Sequence, residues 1–227
     1  MAKKIFVTGT GTDVGKTYVT GLICKKLKEA ELSAGYYKAA MSGNDRDADG
    51  KLIPGDAAFV KNISGIEQSL SSMCPYIYET AVSPHLASKL EGGPVDLSVV
   101  KNGFDAVCEK YDYVTMEGSG GILCPIRFDD KVTMLEDVIK ELDLDCILIA
   151  DAGLGTINSV VLTHEYMKNR GLIIRGIIFN NYVAGDVMHE DNIKMCQHMT
   201  GLPVLALVAD GDQDLDIDID VLTGIYR

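Results

Sequence analysis

No apolar stretch in this chain reaches the roughly 18 residues that a membrane-spanning helix needs. The longest candidates, residues 146–150 and 172–179, are of strand length. A signal peptide is missing too: Lys3 and Lys4 precede a short apolar run that leads straight into glycines. No membrane association and a cytoplasmic location are therefore expected. No cysteine pair has the CxxC form, and Cys24, Cys74, Cys108, Cys124, Cys146 and Cys196 lack zinc spacing. Most sit beside apolar residues, as buried free thiols do. His85, His164, His189 and His198 form no ligand set. Positive charge is scarce: 21 Lys and Arg face 33 Asp and Glu, a net charge of −12. That balance argues against a nucleic acid partner, whose phosphates call for basic contacts. Linkers and repeats are absent, so residues 1–227 are expected to form one domain. With 47% hydrophobic residues, 227 positions suffice for a substantial buried core.

Short β-rich runs alternate with helical stretches. Strands are expected at residues 4–8, 33–38, 112–116, 146–150, 173–179 and 204–208. Helices are expected from residue 15 and at 56–63, 84–90, 97–109, 132–142, 156–169 and 189–198. This alternation predicts an α/β fold: three layers, α/β/α, with a mainly parallel central sheet. In such sheets ligands sit beyond the carboxyl ends of the strands. The segments at 9–17, 38–42, 117–121 and 151–155, with Asn180, therefore matter most.

The first segment reads Gly9-Thr10-Gly11-Thr12-Asp13-Val14-Gly15-Lys16-Thr17, between a strand and a helix. Glycines let backbone N–H groups turn toward an anion, and the helix presents its positive end to phosphates. Lys16 supplies charge for the β- and γ-phosphates, and the Thr17 hydroxyl suits Mg²⁺. These features make the fold P-loop NTPase-like and predict nucleoside triphosphate binding. Five residues separate Gly9 from Gly15, where the strict pattern has four. Mg²⁺ also needs carboxylates; Asp56 and Glu117 are the candidates, with Asp151 a third.

Asp45-Arg46-Asp47-Ala48-Asp49-Gly50, with Asp56 in the twelfth place, matches most of an EF-hand loop. A strand is expected before it and Pro54 follows, so a solvated loop is the favoured reading. The alternating acids Asp210, Asp212, Asp214, Asp216, Asp218 and Asp220 read as a solvated extended edge or a weak cation site.

The motifs converge on one resemblance. Residues 8–17, with the five-residue spacing, are similar to the signature of dethiobiotin synthetases. Tyr37-Lys38 with Ser42-Gly43, Gly55-Asp56, Ser83-Pro84-His85-Leu86-Ala87, Glu117-Gly118-Ser119-Gly120-Gly121, Gly153-Leu154-Gly155-Thr156-Ile157-Asn158 and Asn180 follow in order. The resemblance covers residues 3–208. It implies an ATP-dependent, Mg²⁺-dependent ligase that joins CO₂ and 7,8-diaminopelargonate into dethiobiotin. A carbamate forms on one amine and attacks the γ-phosphate. The second amine then closes the ring on the mixed anhydride.

The resemblance also implies roles. Lys16, Lys38 and Thr12 are catalytic. Gly9, Gly11, Thr12, Asp13, Val14, Gly15, Lys16, Thr17, Glu117 and Asn180 bind the nucleotide, Asn180 at the adenine edge. Thr12, Lys38, Ser42, Gly118 and Ser119 meet the substrate, and Thr17, Asp56 and Glu117 hold the metal. A homodimer is implied, with the turn at 153–158 serving the neighbouring subunit's site. Departures are Ala39-Ala40-Met41 after the strand-end lysine, Cys124 before Pro125, and the acidic run in place of a base-binding loop. The competing readings are an amide-forming ligase on another substrate and a P-loop ATPase switch. The switch reading is disfavoured because no lysine lies between Gly9 and Gly15.

Overall fold

The computed structural model describes residues 2–227. In chain order it comprises β1 (Lys3–Gly9), α1 (Lys16–Glu29), β2 (Ala34–Lys38), β3 (Ala40–Met41), α2 (Gly55–Ser64), β4 (Tyr76–Ile77), α3 (Pro84–Glu91) and α4 (Leu97–Cys108). Then come β5 (Tyr113–Gly121), β6 (Pro125–Phe128), β7 (Val132–Met134), α5 (Leu135–Glu141), β8 (Cys146–Asp151) and α6 (Thr156–Asn169). The chain ends with β9 (Ile174–Asn180), α7 (Val187–Thr200), β10 (Val204–Leu207) and α8 (Ile219–Gly224).

Six strands form one parallel sheet in the order β10-β9-β8-β1-β5-β2. Successive side chains on a strand point to opposite faces, and β1 shows why both faces must be covered. Ile5 and Val7 pack under α1, α2 and the C-terminal segment. Phe6, between them, packs on the other face with residues of α4 and α5. Leu148 and Phe179 continue that second face against Val160 of α6 and Cys196 of α7. The three-layer α/β/α arrangement expected from the alternating pattern is thus observed.

Two local expectations are corrected and a third is sharpened. The helix expected at 132–142 begins only at Leu135, because β-branched Val132 and Thr133 pair with β6 in an antiparallel hairpin. The Asp137 side chain then accepts the Met134 N–H at 2.8 Å and starts the helix. The strand expected at 112–116 continues through the glycines to Gly121, since Gly121 still pairs with Gly9 of β1. The acidic run pairs with no strand of the sheet and is packed on one side. Its alternate residues Leu215 and Ile217 are buried in the core beside α1, and Asp218 caps α8 by accepting the Asp220 N–H at 2.8 Å. Asp214, Asp216 and Asp218 face outward because Leu215 and Ile217 between them face inward.

Candidate active site

The phosphate loop links β1 to α1 at the carboxyl edge of the sheet. Gly15 precedes the helix in a left-handed conformation, φ 87°, and a Cβ there would lie 2.1 Å from Asn180 Nδ2. Glycine alone satisfies both demands. No side chain caps α1, and its first turn carries no acid, so its N–H groups stay open to an anion. Lys16 folds back over the loop, and its Nζ donates to the Gly11 carbonyl at 2.7 Å. Burial lowers the Lys16 pKa, and the Lys38 charge adds to the effect. Two cations held this close favour the arrival of anions.

Sheet register places the next groups. Lys38, the last residue of β2, lies opposite Glu117 of β5, which is opposite Val7 of β1. Lys38 Nζ donates to Glu117 Oε1 at 2.7 Å and to Asp56 Oδ2 at 2.6 Å. Thr17 Oγ1 donates to the same Glu117 Oε1 at 2.7 Å. The Tyr36 hydroxyl donates to Glu117 Oε2 at 3.0 Å. Burial works against the Lys38 charge, but Glu117 and then Asp56 outweigh it and raise its pKa. Burial lifts the Tyr36 phenol well above its usual value, with Glu117 adding to the shift, so it remains a donor. Thr17, Asp56 and Glu117 therefore meet around one ammonium group.

The site opens onto a cavity of about 840 Å³, within the range of small-molecule sites. Thr12, Asp13, Gly15, Lys16, Thr17, Lys38, Ser42, Asp56, Glu117 and Ser119 all line it. Gly9, Gly11, Val14, Gly118 and Asn180 do not. Gly118 sits inside β5, where a Cβ would come within 2.9 Å of both Phe6 and Leu135. Its bare Cα makes room for those two side chains, and Ser119 and Gly120 after it line the cavity. Asn180 lies behind the loop, donating from Nδ2 to the Val14 carbonyl at 3.3 Å, while its buried Oδ1 has no partner. The Ser42 hydroxyl donates to the Val82 carbonyl at 2.5 Å, and that of Ser119 to the Ala40 carbonyl at 3.1 Å.

Asp151, the third metal candidate, is drawn away. Its two oxygens accept from the Gly153 N–H at 2.7 Å and Asn181 Nδ2 at 2.6 Å. The loop resembling an EF-hand follows β3 rather than a helix. Asp47 Oδ1 accepts the N–H groups of Asp49 and Lys51, and Asp56 turns toward Lys38. Among the described residues no three His, Cys, Asp or Glu side chains gather as a metal site. The donor set that does gather, two carboxylates and a hydroxyl, is all oxygen and small. That suits Mg²⁺, which takes few protein ligands and keeps its waters. Cys124 and Ser83-Pro84, noted in the sequence, line the cavity as well, whereas Tyr36, Ala81 and Val82 escaped sequence reasoning. A buried tyrosine in a strand reads as core, and only strand register reveals what its hydroxyl touches.

A family profile described as an AAA domain matches residues 3–213. An ATP-dependent dethiobiotin synthetase of Brachyspira hyodysenteriae is 49% identical over 212 residues, covering 93% of this chain and 94% of that protein. One from Clostridium novyi is 50% identical over 209 residues, covering 92% and 87%. The septum site-determining protein MinD complexed with Mg-ADP, from Pyrococcus horikoshii, superposes with a TM-score of 0.56 at 16% identity, over 92% of this chain and 82% of its own. The signal recognition particle receptor FtsY from Elizabethkingia anophelis gives 0.54 at 13% identity, over 98% and 64%. These two likenesses concern the fold alone.

Proposed function

Since the chain belongs to the ATP-dependent dethiobiotin synthetases, we propose that the cavity around Lys16 and Lys38 is where its reaction takes place. Dethiobiotin is formed there from 7,8-diaminopelargonate and CO₂ at the expense of ATP. The observation that carries this assignment is the convergence of Lys38, Asp56, Glu117 and Thr17 beside the phosphate loop.

Lys16 leaves the Gly11 carbonyl to meet the γ-phosphate. The open N–H groups at the start of α1 and in the loop receive the remaining phosphate oxygens. The one unpartnered atom of Asn180, its buried Oδ1, is the feature that supports its role at adenine. Thr17, Asp56 and Glu117 would hold Mg²⁺, which when bound would neutralise phosphate charge. Lys38 then turns to the carbamate anion, formed when one substrate amine adds to CO₂ and loses a proton. Thr12 and Ser42 offer hydroxyls to that carbamate. Its oxygen attacks the γ-phosphorus and ADP leaves, giving the mixed anhydride. The second amine attacks the carbamoyl carbon, and phosphate departs as the ring closes. The protein contributes mainly position and preorganised charge.

The exposed Leu154 and Leu162, in and after the turn at 153–158, support a homodimer in which that turn serves the neighbouring site. β1, β2, β5 and β9 of one sheet carry the phosphate loop, Lys38, Glu117 and Asn180, which supports a single ligase domain over 1–227. No helix of the described residues is long and apolar enough to cross a membrane. The free cysteines support a cytoplasmic location.

The assay is product formation from diaminopelargonate, bicarbonate and MgATP. Stoichiometric dethiobiotin, ADP and phosphate are expected. Phosphate release without dethiobiotin would overturn the substrate assignment and leave only nucleotide hydrolysis.

A further inference from the structure

Glu117 is 1% exposed, and its two oxygens face different neighbours. Oε1 takes the Thr17 hydroxyl and the Lys38 ammonium, both groups that line the cavity. Oε2 takes the hydroxyl of Tyr36, which lies wholly inside the protein. A carboxylate held at one oxygen cannot rotate freely about its terminal bond. The other oxygen then stays aimed at the cavity whatever partner it has. Tyr36 is itself fixed: its backbone N–H donates to Gln68 Oε1 at 2.7 Å, and its carbonyl accepts from Gln68 Nε2 at 3.0 Å.

We propose that Tyr36 is a positioning residue for the metal site, clamping Glu117 Oε2 so that Oε1 is the oxygen presented to Mg²⁺. Outer partners of metal ligands act in this way, orienting a ligand they do not replace. The tyrosine touches neither nucleotide nor substrate. It keeps the carboxylate in place while Oε1 exchanges Lys38 for the cation. The inference rests on the reading of Glu117 as a metal ligand.

The test compares wild type, Tyr36→Phe and Glu117→Gln. Mg²⁺ is titrated calorimetrically in the presence of a non-hydrolysable ATP analogue, and steady-state rates are read against free Mg²⁺. Tyr36→Phe is expected to raise half-saturating Mg²⁺ roughly tenfold in both measurements. At saturating Mg²⁺ its kcat and the KM for ATP should return close to wild type. Replacing Tyr36 by p-aminophenylalanine keeps the ring and an N–H donor, and should restore the Mg²⁺ curve. An unshifted curve in Tyr36→Phe beside a shifted one in Glu117→Gln overturns the clamp and spares the ligand assignment. Unshifted curves in both overturn the ligand assignment and the clamp with it. Melting temperatures without metal are read in parallel. If Tyr36→Phe does not fold, the p-aminophenylalanine protein decides: a wild-type Mg²⁺ curve supports the clamp and a weakened one overturns it.

Discussion

Replacing Lys38 by Met tests the centre of the site. Methionine keeps most of the buried stem and removes the ammonium. Glu117 has no exposed side-chain surface, whereas the Asp56 side chain is 40% exposed. Water can therefore screen Asp56 but not Glu117. Removing one partner of a buried ion pair costs about 3–5 kcal/mol, and the half-wet Asp56 puts the expectation near 3 kcal/mol. At about 2–4 °C per kcal/mol for a chain of this size, the apo protein should melt roughly 6–12 °C lower. MgATP should stabilise the variant more than wild type, because the dication supplies the charge that Glu117 has lost. Turnover should fail while nucleotide still binds, since the carbamate has lost its cation. Differential scanning calorimetry with and without MgATP, together with product assays, reads all three effects. An unchanged apo melting temperature with full activity would refute both the buried ion pair and the carbamate role.

Lys16→Ala should lower kcat by at least about 100-fold, as loss of a preorganised charge on the transition state does, and turnover within tenfold of wild type would remove its role. Gly118→Ala should cost about 1–3 kcal/mol in urea denaturation through overpacking against Phe6 and Leu135, and no loss would mean that Phe6 swings aside freely. Burial raises the Cys124 thiol pKa, with Lys16 and Lys38 only partly opposing it. The thiol then stays protonated at neutral pH, so alkylation of Cys124, followed by mass spectrometry, should be slow at pH 7 and rise about tenfold per pH unit toward the pKa. MgATP should protect it, and a rate flat from pH 7 to 9 contradicts the raised value.

Strand and helix periodicity made the layers legible, because double-sided burial leaves near-continuous apolar strands such as residues 146–150. The phosphate loop and Lys38 were legible as residues that follow strands. What stayed hidden depends on partners distant in sequence. Gly118 reads as flexible until Phe6 and Leu135 are seen against it. Asp151 and Asp56 look alike in sequence, yet one caps a turn with Gly153 and Asn181 while the other reaches Lys38. The solvated acids of the C-terminal run were legible, whereas the burial of Leu215 and Ile217 between them depends on the distant α1.

The Lys38 contacts with Glu117 and Asp56 make binding an exchange of counterions. On the proposed assignments, a cation entering between the carboxylates frees an ammonium group, and that group then needs an anion. A carbamate arriving first would draw the ammonium away and leave the carboxylates open to a cation. Each event lowers the cost of the other, and by linkage the benefit is equal in both directions. Electroneutrality would thus tie capture of CO₂ to the presence of the metal, so that the carbamate is held when the means of activating it are in place.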